Sequence, residues 1–169
     1  MQRKGTVMDY RILAINPGST STKIALYHNR ECEREASFSY SVEQLAPFPT
    51  IMSQKEWRLQ ELLRYLTQQG IELSSLSAVV GRGGAIGPVK SGAYQVNELL
   101  VDRLTNRPVG QHASNLGGVM AYEIACRANI PAYVYDGGKS EEAARAALVE
   151  RYPRESFTLA TKLNAWMGC

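Results

Sequence analysis

Two kinds of residue that usually anchor a function are scarce in this chain of 169 residues. Cysteine occurs three times, at Cys32, Cys126 and Cys169, far apart and with no CxxC pair. An odd, scattered set suits a reducing cytoplasm and no structural zinc. Histidine occurs only at His28 and His112, which argues against a two-histidine metal site. Long apolar runs are missing altogether, since nothing approaches the ~18–20 residues of a membrane span. The opening MQRKGTVMDYR has basic residues but no apolar segment behind them, so no signal peptide is expected. Nor is there an excess of one charge: 19 basic and 16 acidic residues leave +3, too small a surplus to imply nucleic acid or a membrane surface. Internal repeats and low-complexity tracts are also absent. What remains is an ordinary globular composition, 44% hydrophobic and 21% charged, on a length that suits one domain or one and a half.

The pattern along the chain predicts a β-meander followed by alternating helices and strands. Tyr10 to Asn16 and Thr22 to Tyr27 read as strands joined by the turn Pro-Gly-Ser-Thr-Ser, and Glu31 to Tyr40 as a third strand before Pro47 and Pro49. Ser53 to Gln69 reads as a helix, with Leu59, Leu62, Leu63 and Leu66 on one face. Ser53 and Glu56 suggest a capping box at its start and Gly70 a stop at its end. Ser77 to Val80 reads as a buried strand running into Gly81-Arg82-Gly83-Gly84. Asn97 caps a helix to about Leu104, Ser114 or Asn115 caps another to about Ala128, and Ile130 to Tyr135 is a strand with Asp136 at its end. Ser140 caps a last helix with Glu141 and Glu142 in its first turn, and Tyr152 to Cys169 has weak periodicity. This order predicts an α/β fold with a mixed sheet.

Four stretches carry candidate chemistry, each with an ordinary alternative. In Asn16-Pro-Gly-Ser-Thr-Ser-Thr-Lys23, the hydroxyls of Ser19 and Ser21 and the loop's N–H groups suit phosphate oxygens. Gly18 permits close approach there and Lys23 adds charge. The spacing is not that of a Walker loop, and the same residues equally suit a polar hairpin turn. Arg82 among Gly81, Gly83 and Gly84 can hold a carboxylate or phosphate bidentately, or can be a solvated arginine in a glycine turn. His112, ahead of Ser114 and Asn115 at a helix start, can donate to developing negative charge, or can be incidental to a capped helix. Asp136, beyond the carboxyl end of a strand, suits Mg²⁺ or acid–base work, or simply opens a turn with Gly137 and Gly138.

The stretches LAINPGSTSTKIALY, AVVGRGGAIGPVKSGAYQVNELL, GQHASNLGGVMAYEIA and IPAYVYD, in this order, closely resemble the N-terminal half of the butyrate kinases in the acetate/butyrate kinase family. The resemblance covers about Tyr10 to Asp136. It implies a mixed-sheet lobe of the sugar kinase/Hsp70/actin-like ATPase fold. It also implies a reaction, in which ATP and a short-chain fatty acid give an acyl phosphate and ADP with Mg²⁺. By this resemblance Asn16, Gly18, Ser19, Ser21 and Lys23 meet the nucleotide's phosphates. Arg82, with Gly83 and Gly84 beside it, steadies the carboxylate or the transferring phosphoryl. His112, near Ser114 and Asn115, stabilises that phosphoryl, and Asp136 lies near Mg²⁺. A carboxylate nucleophile is already ionised at neutral pH, so the chemistry needs positive and hydrogen-bonding groups more than a strong base.

The family runs to roughly twice this length, as two lobes of about 150 residues each. Its second lobe carries the adenosine-binding glycine loop and a second phosphate loop, which have no counterpart here. After Asp136 the chain reads GGKSEEAARAALVERYPRESFTLATKLNAWMGC, unlike the family. The expected organisation is an extension over 1–9, a kinase lobe over 10–136 and a divergent helix and tail over 137–169, as in a truncated product. A face built for a second lobe would leave an apolar patch, so self-association or docking of a second lobe is expected. The competing expectation is a non-catalytic, one-lobe phosphate- or nucleotide-binding module that works with a partner chain.

Overall fold

A computed structural model describes residues 9–84, 86 and 92–135. The expectations for Asp136, for the helix opening at Ser140 and for the tail lie outside the described residues.

Six strands form one sheet in the order β3-β2-β1-β4-β6-β5. β1 (Arg11–Pro17), β2 (Ser21–His28) and β3 (Glu31–Ser39) are the expected antiparallel meander. β4 (Ala78–Arg82) lies parallel to β1, and β6 (Ala132–Tyr135) lies parallel to β4. β5 (Ala93–Gln95) completes the edge, antiparallel to β6. The mixed α/β architecture is therefore as predicted, with two elements the sequence pattern did not announce. One is β5, only three residues long. The other is a single-turn helix, α1 (Val42–Leu45), whose Ser41 and Gln44 make a reciprocal capping box.

The remaining helices cover one face. α2 (Lys55–Gln68), α3 (Glu98–Asn106) and α4 (Asn115–Ala128) close a core with Leu13, Ile15, Ile24, Leu26, Val79 and Val134 from the sheet. Strand residues alternate between faces. The neighbours of that set, Ala14, Ala25, Tyr27 and Val80, therefore form a second, smaller cluster on the opposite face.

The helix ends follow local chemistry. Asn97 caps α3 as expected, its Oδ1 accepting the Leu100 N–H at 2.9 Å. At the end of α2, the Ile71 N–H donates to Leu66 O at 2.9 Å and the Gly70 N–H to Thr67 O at 3.0 Å, with Gly70 at φ +67°. This is the stop expected of a glycine in the left-handed region. α4 ends the same way with Asn129 at φ +54°. The start of α2 corrects the sequence reading. Ser53 does not cap the helix with Glu56; it exchanges hydrogen bonds with Thr50, and a 3₁₀ turn over Met52–Gln54 leads into the helix. A backward partner three residues away satisfies the serine before the helix begins. No helix among the described residues is long and apolar enough to cross a membrane.

Candidate functional site

Strand register gathers the candidate residues at one edge. Lys23 faces Asn16 across β2 and β1, Ile15 pairs with Gly81 across β1 and β4, and Arg82 pairs with Tyr135 across β4 and β6. Paired residues share a face. Lys23, Asn16, Arg82 and Tyr135 therefore make a polar row across four strands at the carboxyl ends of β1, β4 and β6. The row borders the cluster of Ala14, Ala25, Tyr27 and Val80, against which Ile12, Tyr133 and Tyr135 pack. Ligands in α/β sheets gather beyond strand carboxyl ends, where loops diverge.

The first loop of this edge, Gly18 to Thr20, joins β1 to β2. The Gly18 N–H donates to Ser21 O at 2.7 Å and closes the turn. Beneath it lies Arg58 of α2, only 1% exposed. Its Nη1 donates to Gly18 O at 2.8 Å, to Ser21 O at 3.0 Å and to Thr22 Oγ1 at 3.2 Å, and its Nη2 to Ser19 O at 2.9 Å. Gln54 Oε1 accepts from Nε at 3.0 Å and Nη2 at 2.6 Å and fixes the guanidinium plane. The guanidinium carbon stands 4.5 Å from the centre of the Tyr40 ring, and Tyr40 donates its hydroxyl to Thr22 Oγ1 at 2.8 Å. Burial pushes the Tyr40 phenol up to about 12, against the opposing pull of the Thr22 bond, and burial lowers the Arg58 guanidinium from its ordinary value.

The second loop, ahead of α4, is fixed by backbone contact. A Cβ on Gly81 would sit 2.2 Å from the Gly117 carbonyl carbon and oxygen, and one on Gly117 would sit 2.7 Å from Arg82 O. Gly118 similarly lies against Val134 and Leu104. The glycines of β4 and α4 thus let the helix start rest directly on the strand end. Gly83, at φ +73°, brings Ser114 beside it, where an added Cβ would be 2.8 Å from Ser114 Cβ. Exposed His112 caps this turn. The Ser114 N–H donates to its Nδ1 at 3.2 Å, and Ser114 Oγ lies 2.8 Å from the same nitrogen. A backbone N–H can only donate, so Nδ1 is the acceptor and the proton of the neutral ring sits on Nε2. His112 therefore offers an N–H donor.

Asn16 and Lys23 stand in the polar row, Lys23 exposed and Asn16 half-buried; Gly18, Ser19 and Ser21 form the turn. Arg82 ends β4, and Gly83 and Gly84 follow it with positive φ. Ser114 does not cap α4 with its side chain; the hydroxyl is held by His112 instead. Asn115 is the most altered in aspect: it is 3% exposed, and its Nδ2 donates to Gly110 O at 2.8 Å, tying down the loop that carries His112. Asp136 lies outside the described residues. Arg58, Gln54 and Tyr40, which carry the first loop, were not among the candidates. Their signal was present, since Arg58 precedes Leu62 and Leu66 at helical spacing and so falls on the apolar stripe of α2.

No protein-family model matches the chain. Butyrate kinase 1 of Clostridium acetobutylicum is 43% identical over 151 residues, covering 88% of this chain and 42% of that protein. The chain thus spans less than half the length of this relative. Among solved structures, an acetate kinase from Entamoeba histolytica matches 75% of this chain and 34% of its own, at 14% identity and a TM-score of 0.46. A propionate kinase from Francisella tularensis subsp. tularensis SCHU S4 matches 75% of this chain and 36% of its own, at 15% identity and a TM-score of 0.44. By its sequence the chain resembles butyrate kinase, of the acetate/butyrate kinase family, and its six-stranded mixed sheet is the α/β architecture expected of it.

Proposed function

We propose that this chain, which resembles butyrate kinase over most of its length, supplies the phosphoryl-holding side of a carboxylate kinase site. The reaction is transfer of a phosphoryl group between ATP and a short-chain fatty acid, giving an acyl phosphate and ADP. The observation that carries this reading is the convergence of Lys23, Asn16 and Arg82 on one sheet edge, in the register that places them side by side.

The chemistry asks for little covalent help and much charge compensation. Transfer brings an anionic carboxylate against an anionic phosphate, and the in-flight group carries its charge on equatorial oxygens. Lys23 and Arg82 offset that charge, and the guanidinium of Arg82 can grip two oxygens at once. The Nε2–H of His112 donates to an oxygen, with its tautomer held by Ser114. Ser19 and Ser21 add hydroxyl donors from the turn. Asn115 acts at one remove, by anchoring the loop at Gly110.

Mg²⁺ fits this site as an ion carried by the phosphates. Among the described residues no group of three His, Cys, Asp or Glu side chains could hold a metal, and Mg²⁺ commonly takes one or two carboxylates plus phosphate oxygens. Asp136, directly after β6, is the carboxylate assigned to it here. When bound with ATP, Mg²⁺ neutralises phosphate charge. The lobe is taken to be residues 10–136, and the protein to be cytoplasmic.

Because the chain spans 42% of its relative, the other wall of the cleft is assigned to a second lobe that docks on this one. The same fact favours a second reading, a phosphate- or nucleotide-binding module that works without catalysis beside a partner. Titration with ATP and Mg²⁺ separates them, since tight binding by the chain alone favours the module. The test of the main reading supplies the chain with the part of the Clostridium enzyme outside the match and traps acyl phosphate with hydroxylamine. Activity is expected to appear, and Arg82→Ala and His112→Ala are each expected to lower it by about a hundredfold or more. Full turnover in both variants would overturn the assignment.

A further inference from the structure

We propose that Arg58 is the positioning residue of the phosphate turn, setting the direction of its backbone amides from beneath. The inference rests on the reading of Asn16 to Lys23 as a phosphate-binding loop.

The geometry begins with the peptide bond. In a trans peptide the C=O of one residue and the N–H of the next point in opposite directions. Arg58 takes Gly18 O on Nη1 and Ser19 O on Nη2, at 2.8 and 2.9 Å. Both carbonyls are thereby turned inward, and the N–H groups of Ser19 and Thr20 are turned away from the guanidinium. Thr20 O is held as well, by the Tyr40 N–H at 2.9 Å. Three consecutive carbonyls of the turn are therefore committed to partners within the fold. Successive N–H groups facing one side form an anion-binding concavity.

The device depends on the shape of the arginine head group. One planar fork reaches Gly18 O, Ser19 O and Ser21 O while Gln54 holds its other edge. A lysine ammonium carries the same charge but cannot span those acceptors in one plane. The charge itself also has a use. Among the described residues no ion pair joins Arg58 to a carboxylate; the groups that act on it electrostatically are Tyr40 and then Glu61, on the next turn of α2. The guanidinium thus adds positive potential under the loop while its donors go to carbonyl oxygens. Neither Arg82 nor Lys23 can substitute for this, because both stand on the strand face and not under the turn.

The test uses the 169-residue chain, its Arg58→Lys variant and a second variant, Gln54→Leu, which keeps Arg58 but releases its edge. Amide relaxation without ligand reports the order of Ser19 and Thr20, and titration with inorganic phosphate reports affinity through the same amides. Wild type is expected to show an ordered turn and phosphate-induced shifts at Ser19 and Thr20. Arg58→Lys is expected to loosen both amides and to weaken phosphate about tenfold despite the retained charge. Gln54→Leu is expected to change both in the same direction by about threefold, and it decides the matter if Arg58→Lys fails to fold. Variants with the wild-type order and affinity would overturn the positioning role and leave the phosphate reading standing. A wild-type chain whose turn amides ignore phosphate would overturn the phosphate reading, and this inference with it.

Discussion

Two loops meet at one edge of the sheet and are fixed by opposite means. The Gly18–Thr20 turn is held from below by a long polar side chain, Arg58, reaching from a helix. The turn before α4 is held by the absence of side chains, with Gly81 and Gly117 letting backbone touch backbone. The first arrangement is a hydrogen-bond network that can be tuned through its members. The second is a steric seam with no tolerance for an added methyl group. The comparison teaches that glycine-rich segments near a candidate site need not face the ligand. Gly81, Gly117 and Gly118 look inward, while the groups assigned to phosphate are carried by their neighbours Arg82 and His112.

Four outcomes would break or sharpen this contrast. The largest effect is expected at the seam. Gly81→Ala places a Cβ 2.2 Å from backbone atoms that cannot move aside alone, and a loss of about 3 kcal/mol or more in a urea melt is expected. An unchanged midpoint would show that the seam is not tight. Next comes the network. Arg58→Met leaves the turn carbonyls and Gln54 without their donor, for an expected loss of roughly 2 kcal/mol, and turn amides that exchange faster than those of α4. Equal changes in both loops would erase the distinction between them.

The third outcome concerns pH. Burial raises Tyr40 and Tyr27 to about 12, from an ordinary 10.0. A folded-state value above the unfolded one favours the protonated, folded form. Their contribution is thus complete below pH 10 and lost as the pH rises through about 12. Alkaline unfolding followed by tyrosinate absorbance should therefore begin in that window. Tyr40→Phe should reduce the pH dependence and disturb the first loop more than the second. The smallest effect is expected for Ser114→Ala. Its hydroxyl caps no helix, so stability should stay within about 0.5 kcal/mol, while the loss of its bond leaves the His112 Nδ1 held by the backbone N–H of residue 114 alone. A large stability loss would mean that Ser114 serves the seam and not His112.

Much of the fold was legible because alternation and capping are local. The hairpin was announced by apolar runs on either side of Pro17-Gly18-Ser19, α2 by its leucine stripe and Gly70, and α3 by Asn97. What escaped depends on distant partners. β5 exists because Ala93–Gln95 finds β6 some forty residues on, and three residues carry too little pattern to show it. The Ser53 cap failed because Thr50 competes for the same hydroxyl. At the site, the residue types were readable but their means of support were not. An arginine within a helix reads as solvated surface unless its place on the apolar stripe is weighed, and Arg58 occupies that stripe beside Leu62. The glycines of GRGG were read only as the setting of Arg82, and Gly117 and Gly118 were given no role. Their role as a helix-to-strand contact appears only when β4 and α4 are placed together.

The most direct test of the central claim is to titrate the 169-residue chain with butyryl phosphate and map its backbone amides. Shifts concentrated at residues 18–23, 82–84 and 112–115 are the predicted result, since these three segments share the sheet edge assigned to the phosphoryl group. Shifts confined to other surfaces, such as the groove between α3 and α4 lined by Val101, Thr105 and Tyr122, or no shifts at all, would contradict it.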